Sequence, residues 1–532
     1  MATLTVAVAA PSLHYDFVYD DVPLILERAP FWEVGLREFA ASRPWGTGRH
    51  LAVVSLDLDR LEQGNVPLPF HRTNIALAAL LSVLILVLSL RLDLSLAAAT
   101  AATALFAVHP VHVDDVVSVV GRAELLMALG VVAALLACVR PTSAAPVSSW
   151  RVAAACALFA TLALHSKESA LCLPLLIVAA RAFLGSRVAW IPGLVGSFVA
   201  IAGWLTIASA LSLDTVQPDL VDNPLIGVSA LERVPKALAI LWQYAALLLW
   251  PHPLLADRSW AQTDPSLLSG WIAVVAWLAA TIGVLRLARR QPVLAFALAW
   301  FPIAFAITGN VARPIGVLMA ERFLLLPSVG ACLALGVGVN AIVGRARSSS
   351  GALFAVVALV TTTVAVFFGL FRERAAMWKS PEVYFATSAA ASPLSAKAQY
   401  DYGAWLLGNG QRTEAEAAFA RALEIYPLFS RANYYLAESI AARKNPSGGA
   451  DQYLRYLELK PEDAGAVTNV TRLLLAADRP QEALHWAKRA VLLSPGDSDV
   501  IALLVTAEGR ARRAEKAAPK PEATDAAKPA LP

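Results

Sequence analysis

Leu105-Phe106-Ala107-Val108-His109-Pro110-Val111-His112-Val113-Asp114-Asp115-Val116-Val117-Ser118-Val119-Val120-Gly121-Arg122-Ala123-Glu124-Leu125-Leu126 sets six imidazole or charged side chains (His109, His112, Asp114, Asp115, Arg122, Glu124) between two long apolar runs, 94–108 and 125–139. Polar groups between apolar spans form either a solvated loop or a site facing a cavity. A plain loop is richer in Gly, Ser and Asn than in paired His and carboxylates. The stretch therefore reads as a site held at the edge of a membrane.

Composition supports the membrane. The chain of 532 residues is 58% hydrophobic and only 16% charged, with a mean hydropathy of +0.58. Its apolar residues come in long uncharged blocks, so residues 1–371 read as a polytopic helical domain. A net charge of +4 is too small to argue for nucleic acid. Cys138, Cys156, Cys172 and Cys332 lie inside apolar runs without metal-like spacing and read as small core residues. An Arg- and Ala-rich composition points to a GC-rich bacterial genome.

Residues 2–13 are apolar but short of the roughly 20 needed to cross a bilayer, and no basic n-region marks a signal peptide. They read as the outer half of a first span, leaving through His14–Asp21. The loop 22–73 carries amphipathic pieces near 31–40 and 50–62, suited to lying at the interface. Further spans are expected at about 74–90, 94–108, 122–139, 152–165, 169–184, 188–210, 271–286, 292–308, 323–343 and 351–371, which makes eleven. Segment 237–250, at about 21 Å of helix, is too short to cross and reads as re-entrant. Arginines in alternate connectors (Arg91, Arg140 with Arg151, Arg181 with Arg187, Arg286 to Arg290, Arg345 with Arg347) orient those connectors to the cytoplasm. That orientation sends Asp20 and Asp21, the 109–124 stretch, His165 to Glu168, Asp222 and Asn223, Asp257, and Glu321 with Arg322 to the outside. A rim of acids and cations on one face suits an active site at the membrane surface.

After residue 371 the composition changes. Pro393, Pro427, Pro461 and Pro495 recur every 34 residues. Between them, small and large residues fall at tetratricopeptide-repeat offsets: Gly403, Ala415, Phe419 and Ala422; Ala437, Gly449, Tyr453 and Tyr456; Thr471, Ala483, Ala487 and Ala490. Small residues let the two helices of a repeat approach, and Pro ends the second. Residues 372–516 therefore read as a half repeat, three repeats and a capping helix, and 517–532 as a disordered tail. The fold class is all-α: a transmembrane bundle followed by an α-solenoid.

These motifs together resemble the transmembrane and tetratricopeptide-repeat-containing O-mannosyltransferases, of the GT-C class, in a bacterial-type member. The resemblance rests on Phe17-Val18-Tyr19-Asp20-Asp21, Val108-His109-Pro110-Val111-His112, Val120 to Leu126, Lys167-Glu168 and Asp222-Asn223-Pro224. It extends through Leu247 to Pro251 with Asp257, Ala320-Glu321-Arg322-Phe323 to Gly330, and Arg372 to Trp378. Two departures stand out. Val113-Asp114-Asp115 replaces the family's Thr-Glu-Ala, and Leu325 replaces its aromatic.

The resemblance implies inverting transfer of a sugar, mannose by family habit, from a polyprenyl phosphate to a hydroxyl of a protein acceptor. Asp20 or Asp21 is then the general base, because the class keeps its catalytic acid in the first external loop. Arg122 and Arg322 are first choices to stabilise the leaving phosphate, followed by His109, His112 and Lys167. Asp114, Glu124, Glu168, Asp222, Asp257 and Glu321 support the site, several by pairing with a neighbouring cation. His109, His112 and Asp114 offer an alternative divalent-metal set that is not favoured; no cofactor is required. The repeats would present the acceptor outside a bacterial inner membrane, on the periplasmic side. Competing readings are a non-catalytic membrane-anchored repeat adaptor, a transporter, and transfer to a glycan or lipid.

Overall fold

The computed structural model describes all residues except 36–37, 40–48, 142–147, 211–218, 261, 347–349 and 518–532. Parts of the 31–40 piece, Arg347 and most of the expected tail lie outside the described residues. The chain divides into two units, Met1–Ser395 and Ala396–Pro532.

Among the described residues of the first unit, seven helices are long and apolar enough to cross a membrane: Pro67–Arg91, Val119–Cys138, Glu168–Arg187, Trp190–Ser209, Leu267–Ala288, Glu321–Arg345 and Gly351–Ala376. An eighth place holds a bent pair, Leu96–Ala107 and Pro110–Val116, at 50° to each other. Ala2–His14, Ser149–Leu164 and Pro292–Ala304 are apolar but shorter. Among the described residues, eleven places thus carry apolar helix, and seven of them are unbroken spans by length and composition. The protein is an integral membrane protein. Many of these helices show Leu, Val, Ile or Phe outward, as Leu268, Ile272, Val275 and Leu278 do on Leu267–Ala288, which fits a lipid environment.

Proline explains the bend. Pro110 has no N–H to continue the ladder, and it forces His109 out of the α region, to φ −66° and ψ 124°. Residues 105–126 therefore contain a broken helix whose turn carries the histidines and aspartates, buried except for the partly exposed Asp114. Small residues set the close approaches elsewhere. A Cβ on Gly196 would stand 2.3 Å from the Ala153 carbonyl, and one on Gly121 2.4 Å from the Asp115 carbonyl. Only glycine lets the 119–121 turn press against the Asp114–Asp115 backbone. All four cysteines are buried and free.

Segment 237–250 belongs to a longer helix, Ala230–Leu249, whose first turns carry Glu232, Arg233 and Lys236. It packs on Leu267–Ala288, where Trp277 Nε1 donates to the Leu238 carbonyl at 3.0 Å. The piece near 50–62 is the helix His50–Gln63, which buries Val53 and Leu56 and leaves Leu58 and Leu61 exposed. The helix Pro381–Ala391, expected as half a repeat, falls inside the first unit.

The second unit is built of helical hairpins. Ala396–Gly408 pairs with Arg412–Ile425, Ser430–Ala442 with Pro446–Leu459, and Ala464–Ala476 with Pro480–Leu493; Ser498–Ala517 ends the described part. Ala415, Ala422, Ala437, Thr471, Ala483 and Ala487 are fully buried. A Cβ on Gly403 would meet the Phe419 ring at 2.8 Å. The small residues sit where the two helices of each hairpin touch.

Candidate active site

The first external loop is short and tightly tied. His71 Nε2 donates to the Tyr15 carbonyl at 3.2 Å, and the Asp16 N–H donates to the Lys379 carbonyl at 3.1 Å. Tyr19 sits at φ 56°, the left-handed region, which costs an aromatic residue about 1–3 kcal/mol and marks a constrained turn. Asp21, which follows it, is 1% exposed. Its two oxygens accept the Val18 N–H at 3.1 Å and the Val120 N–H at 3.0 Å. Burial pushes its carboxyl up to about 7, against those two donors. Asp21 thus staples the first external loop to the turn before Arg122. Asp20 differs: it is half-buried, with no hydrogen bond or ion pair among the described residues.

Arg122 is completely buried. Nε donates to Asn74 Oδ1 at 2.8 Å, Nη1 to the Ser55 carbonyl at 2.8 Å, and Nη2 to the Phe70 carbonyl at 2.7 Å. Nη1 also pairs with Asp59 at 2.5 Å. Every nitrogen of the fork is used by the protein, so this expected phosphate ligand serves as scaffold. The two histidines are committed likewise. His109 Nε2 donates to the Leu248 carbonyl at 3.1 Å, and Nδ1 accepts the Val111 N–H at 3.4 Å. His112 Nδ1 donates to the Phe106 carbonyl at 2.9 Å, and Nε2 is hydrogen-bonded to the Ser328 hydroxyl at 2.8 Å, which itself donates to the Leu325 carbonyl at 2.7 Å. These bonds pin the broken helix to its neighbours and leave no ring nitrogen for a phosphate or for the alternative metal set.

Arg322 is placed otherwise. It is half-buried, lies 5.4 Å from the Phe323 ring centre, and makes no hydrogen bond or ion pair among the described residues. Yet it lies within electrostatic reach of Asp20, Glu124, Asp114 and Tyr19. Lys167 stands beside it, paired with Glu124 and 4.8 Å from the Phe323 ring centre. Burial pushes the Lys167 ammonium below its ordinary value, with Glu124 acting in the opposite direction. Glu168 points away to Arg49, at 2.6 Å.

Glu321 is 2% exposed. It accepts the Leu255 N–H at 2.6 Å, Arg258 at 3.2 Å and Arg374 at 3.4 Å. Arg374 also reaches Asp114 at 3.2 Å. Arg258 and Arg374 escaped the reading of the sequence; Arg374 lies inside the Arg372–Trp378 motif, which was the available signal. Asp115 stands in the 105–126 stretch but drew no separate role from the sequence. It is wholly buried, and among the described residues neither of its oxygens has a hydrogen-bond partner. Its electrostatic neighbours are Glu124, Asp114, Lys167 and Arg322.

Two expected residues stand apart. Asp257 accepts the Ser259 N–H at 2.9 Å and the Ser395 hydroxyl at 2.7 Å, which makes it a loop staple. At Asp222 the backbone carbonyl accepts the Leu318 N–H at 3.1 Å, while the adjacent, wholly buried Asn223 bridges to Asn310 and the Ile315 carbonyl. The structure therefore gathers Asp20, Asp114, Asp115, Glu124, Lys167 and Arg322, with Glu321, Arg258 and Arg374 alongside. Such a group can take a proton at Asp20 and offer unused guanidinium donors to an anion at Arg322.

No family model matches the chain. Among curated proteins it is similar to the mouse protein O-mannosyl-transferase TMTC3, at 24% identity over 94% of this chain and 64% of the relative. It is 25% identical to human protein O-mannosyl-transferase TMTC3, over 91% of this chain and 53% of the relative. With human protein O-mannosyl-transferase TMTC4 it shares 27% identity, over 78% of this chain and 64% of the relative. The chain thus spans between about half and two thirds of the length of these relatives. The similarity runs through the membrane unit and into the repeats, and the relatives it reaches are protein O-mannosyl-transferases.

Proposed function

We propose that the chain is a membrane glycosyltransferase that moves a sugar, mannose on the names of its relatives, from a polyprenyl phosphate to a hydroxyl of a protein acceptor, with inversion. One observation carries this reading. Asp20 and Arg322 lie within electrostatic reach of each other, neither has a hydrogen bond or ion pair among the described residues, and both are half-buried. The other cations of the cluster are engaged: Lys167 by Glu124, and Arg374 by Asp114 and Glu321. A base and a cation able to meet a phosphate are thereby left available within electrostatic reach of each other.

In the reaction the acceptor oxygen attacks the anomeric carbon while Asp20 takes the hydroxyl proton. The bond between the anomeric carbon and the phosphate oxygen breaks, and the lipid phosphate leaves with the electron pair. Arg322 stabilises that charge, with Lys167 behind it; their partly dehydrated setting strengthens the attraction. The site and the repeats face the external side of the membrane, the periplasm in a bacterium, and the repeats hold the polypeptide acceptor.

The test is transfer from polyprenyl-phosphate mannose to peptide acceptors by the purified full chain, wild type beside Asp20→Asn and Asp21→Asn. Asp20→Asn is expected to lose about 10²–10⁴-fold in rate while keeping its fold. Asp21→Asn should melt earlier yet retain transfer in its folded fraction. Undiminished transfer by Asp20→Asn would remove the base from this scheme.

A further inference from the structure

Resting on the reading of Asp20 as the base, we propose that Tyr384 is a positioning residue for Asp20, acting through the ring of Tyr19. Tyr384 lies on Pro381–Ala391, the first helix after the last span. Its ring packs against Tyr19 with centroids 5.7 Å apart, and Phe385 closes on the same Tyr19 ring at 6.1 Å. Trp378 supports Tyr384 from behind, at 4.6 Å. Tyr384 and Trp378 are both buried, so this shelf is rigid.

Tyr19 needs such a shelf. It holds the left-handed conformation that an aromatic residue seldom adopts, and the residue after it is Asp20. The hydrogen bonds of the turn run from the Asp21 N–H to the Val18 carbonyl and from the Val22 N–H to the Tyr19 carbonyl. They fix the loop at Asp21 and leave the direction of Asp20 to the backbone angles of Tyr19. Aromatic packing on one side and the Asp21 staple on the other hold those angles. The Asp16 N–H bond to the Lys379 carbonyl ties the same two segments a few residues away. Tyr384 also lies within electrostatic reach of Asp20 itself. Among the described residues its hydroxyl has no hydrogen-bond partner, so the ring is the part of Tyr384 that touches the loop.

The experiment compares kcat and donor KM for Tyr384→Ala, Tyr384→Phe, Tyr19→Gly and Asp20→Asn in the full chain with polyprenyl-phosphate mannose. Tyr384→Ala should lower kcat at least about tenfold with donor KM unchanged, because Arg322 and Lys167 stay in place. Tyr384→Phe should restore wild-type kcat. Tyr19→Gly keeps the left-handed turn without strain and loses the ring, so it should fold as wild type and still lose kcat; it decides the matter if Tyr384→Ala does not fold. Wild-type kcat in Tyr19→Gly, equal losses in the Ala and Phe variants, or a donor KM that rises with the kcat loss would each overturn the inference. If Asp20→Asn retains full kcat, the assignment of the base fails first, which is a separable result.

Discussion

Arg122 and Arg322 invite the same reading in the sequence and live in opposite surroundings. Around Arg122 every nitrogen of the fork meets an oxygen of Asn74, Ser55, Phe70 or Asp59. Around Arg322 charges gather, but none of the described residues pairs with it directly; the guanidinium rests over Phe323 with its donors unspent. The difference teaches that a buried cation with saturated donors organises backbone, whereas a half-buried cation with open donors keeps them available. Replacing Arg122 with Met should therefore give the largest effect, about 3–5 kcal/mol of lost stability, because Asp59 and three further acceptors lose their partner. Thermal unfolding of the purified chain in detergent checks it. A variant that melts like wild type but cannot transfer sugar would erase the contrast.

The complementary change is Arg322→Met. Here the melting temperature should stay close to wild type, while transfer falls about 10²–10³-fold, the usual cost of losing one transition-state donor. Rate and melting measured on the same preparations sharpen the comparison directly. An Arg322 variant that unfolds would make both arginines scaffold.

Asp20 and Asp21 repeat the contrast among acids. Two backbone N–H groups need two acceptor oxygens at Asp21, and asparagine supplies one, so Asp21→Asn should lose about 1–3 kcal/mol. The pH dependence carries a further signature. Burial raises the native Asp21 carboxyl from 3.8 to about 7. Between those values the native state holds a proton that the unfolded chain has released, so stability is full below about pH 4 and declines as pH rises toward about 7. The gap in melting temperature between wild type and Asp21→Asn should therefore narrow over that interval. A constant gap would mean that Asp21 is ionised throughout.

Much of the architecture was legible because its causes are local. The apolar runs, the 34-residue period and the His109-Pro110 break each act through neighbours in sequence, and the helices fall where they point. Legibility stopped at span counting and at partnership. Four of the eleven expected spans are short or bent, since hydropathy registers composition and not where a helix ends. Arg122 looked like Arg322 because the carbonyls of Ser55 and Phe70 carry no mark in the sequence. Asp257 looked like Glu321 for the same reason: whether a carboxylate meets a serine hydroxyl or an arginine is decided by tertiary contacts. Arg374 was hidden because it lies beyond the last expected span, and it joins Asp114 to Glu321 only once that helix packs back.

Asp115 tests the contrast at its smallest amplitude. It is the fully buried acid of the cluster whose oxygens lack hydrogen-bond partners among the described residues. A buried carboxyl without donors costs free energy, and here Glu124 and Asp114 add repulsion that Lys167 and Arg322 offset only in part. Removing it should stabilise the chain, against the general trend of core substitutions. Asp115→Ala is expected to raise stability by about 1 kcal/mol and to leave transfer within a few-fold of wild type, since Asp20 and Arg322 keep their places. Thermal unfolding beside the transfer assay reads both quantities. Stabilisation with activity kept would place Asp115 outside the chemistry. A sharp loss of transfer would instead make its bare carboxyl part of the working cluster, and would move the boundary between scaffold and site one residue deeper into the broken helix.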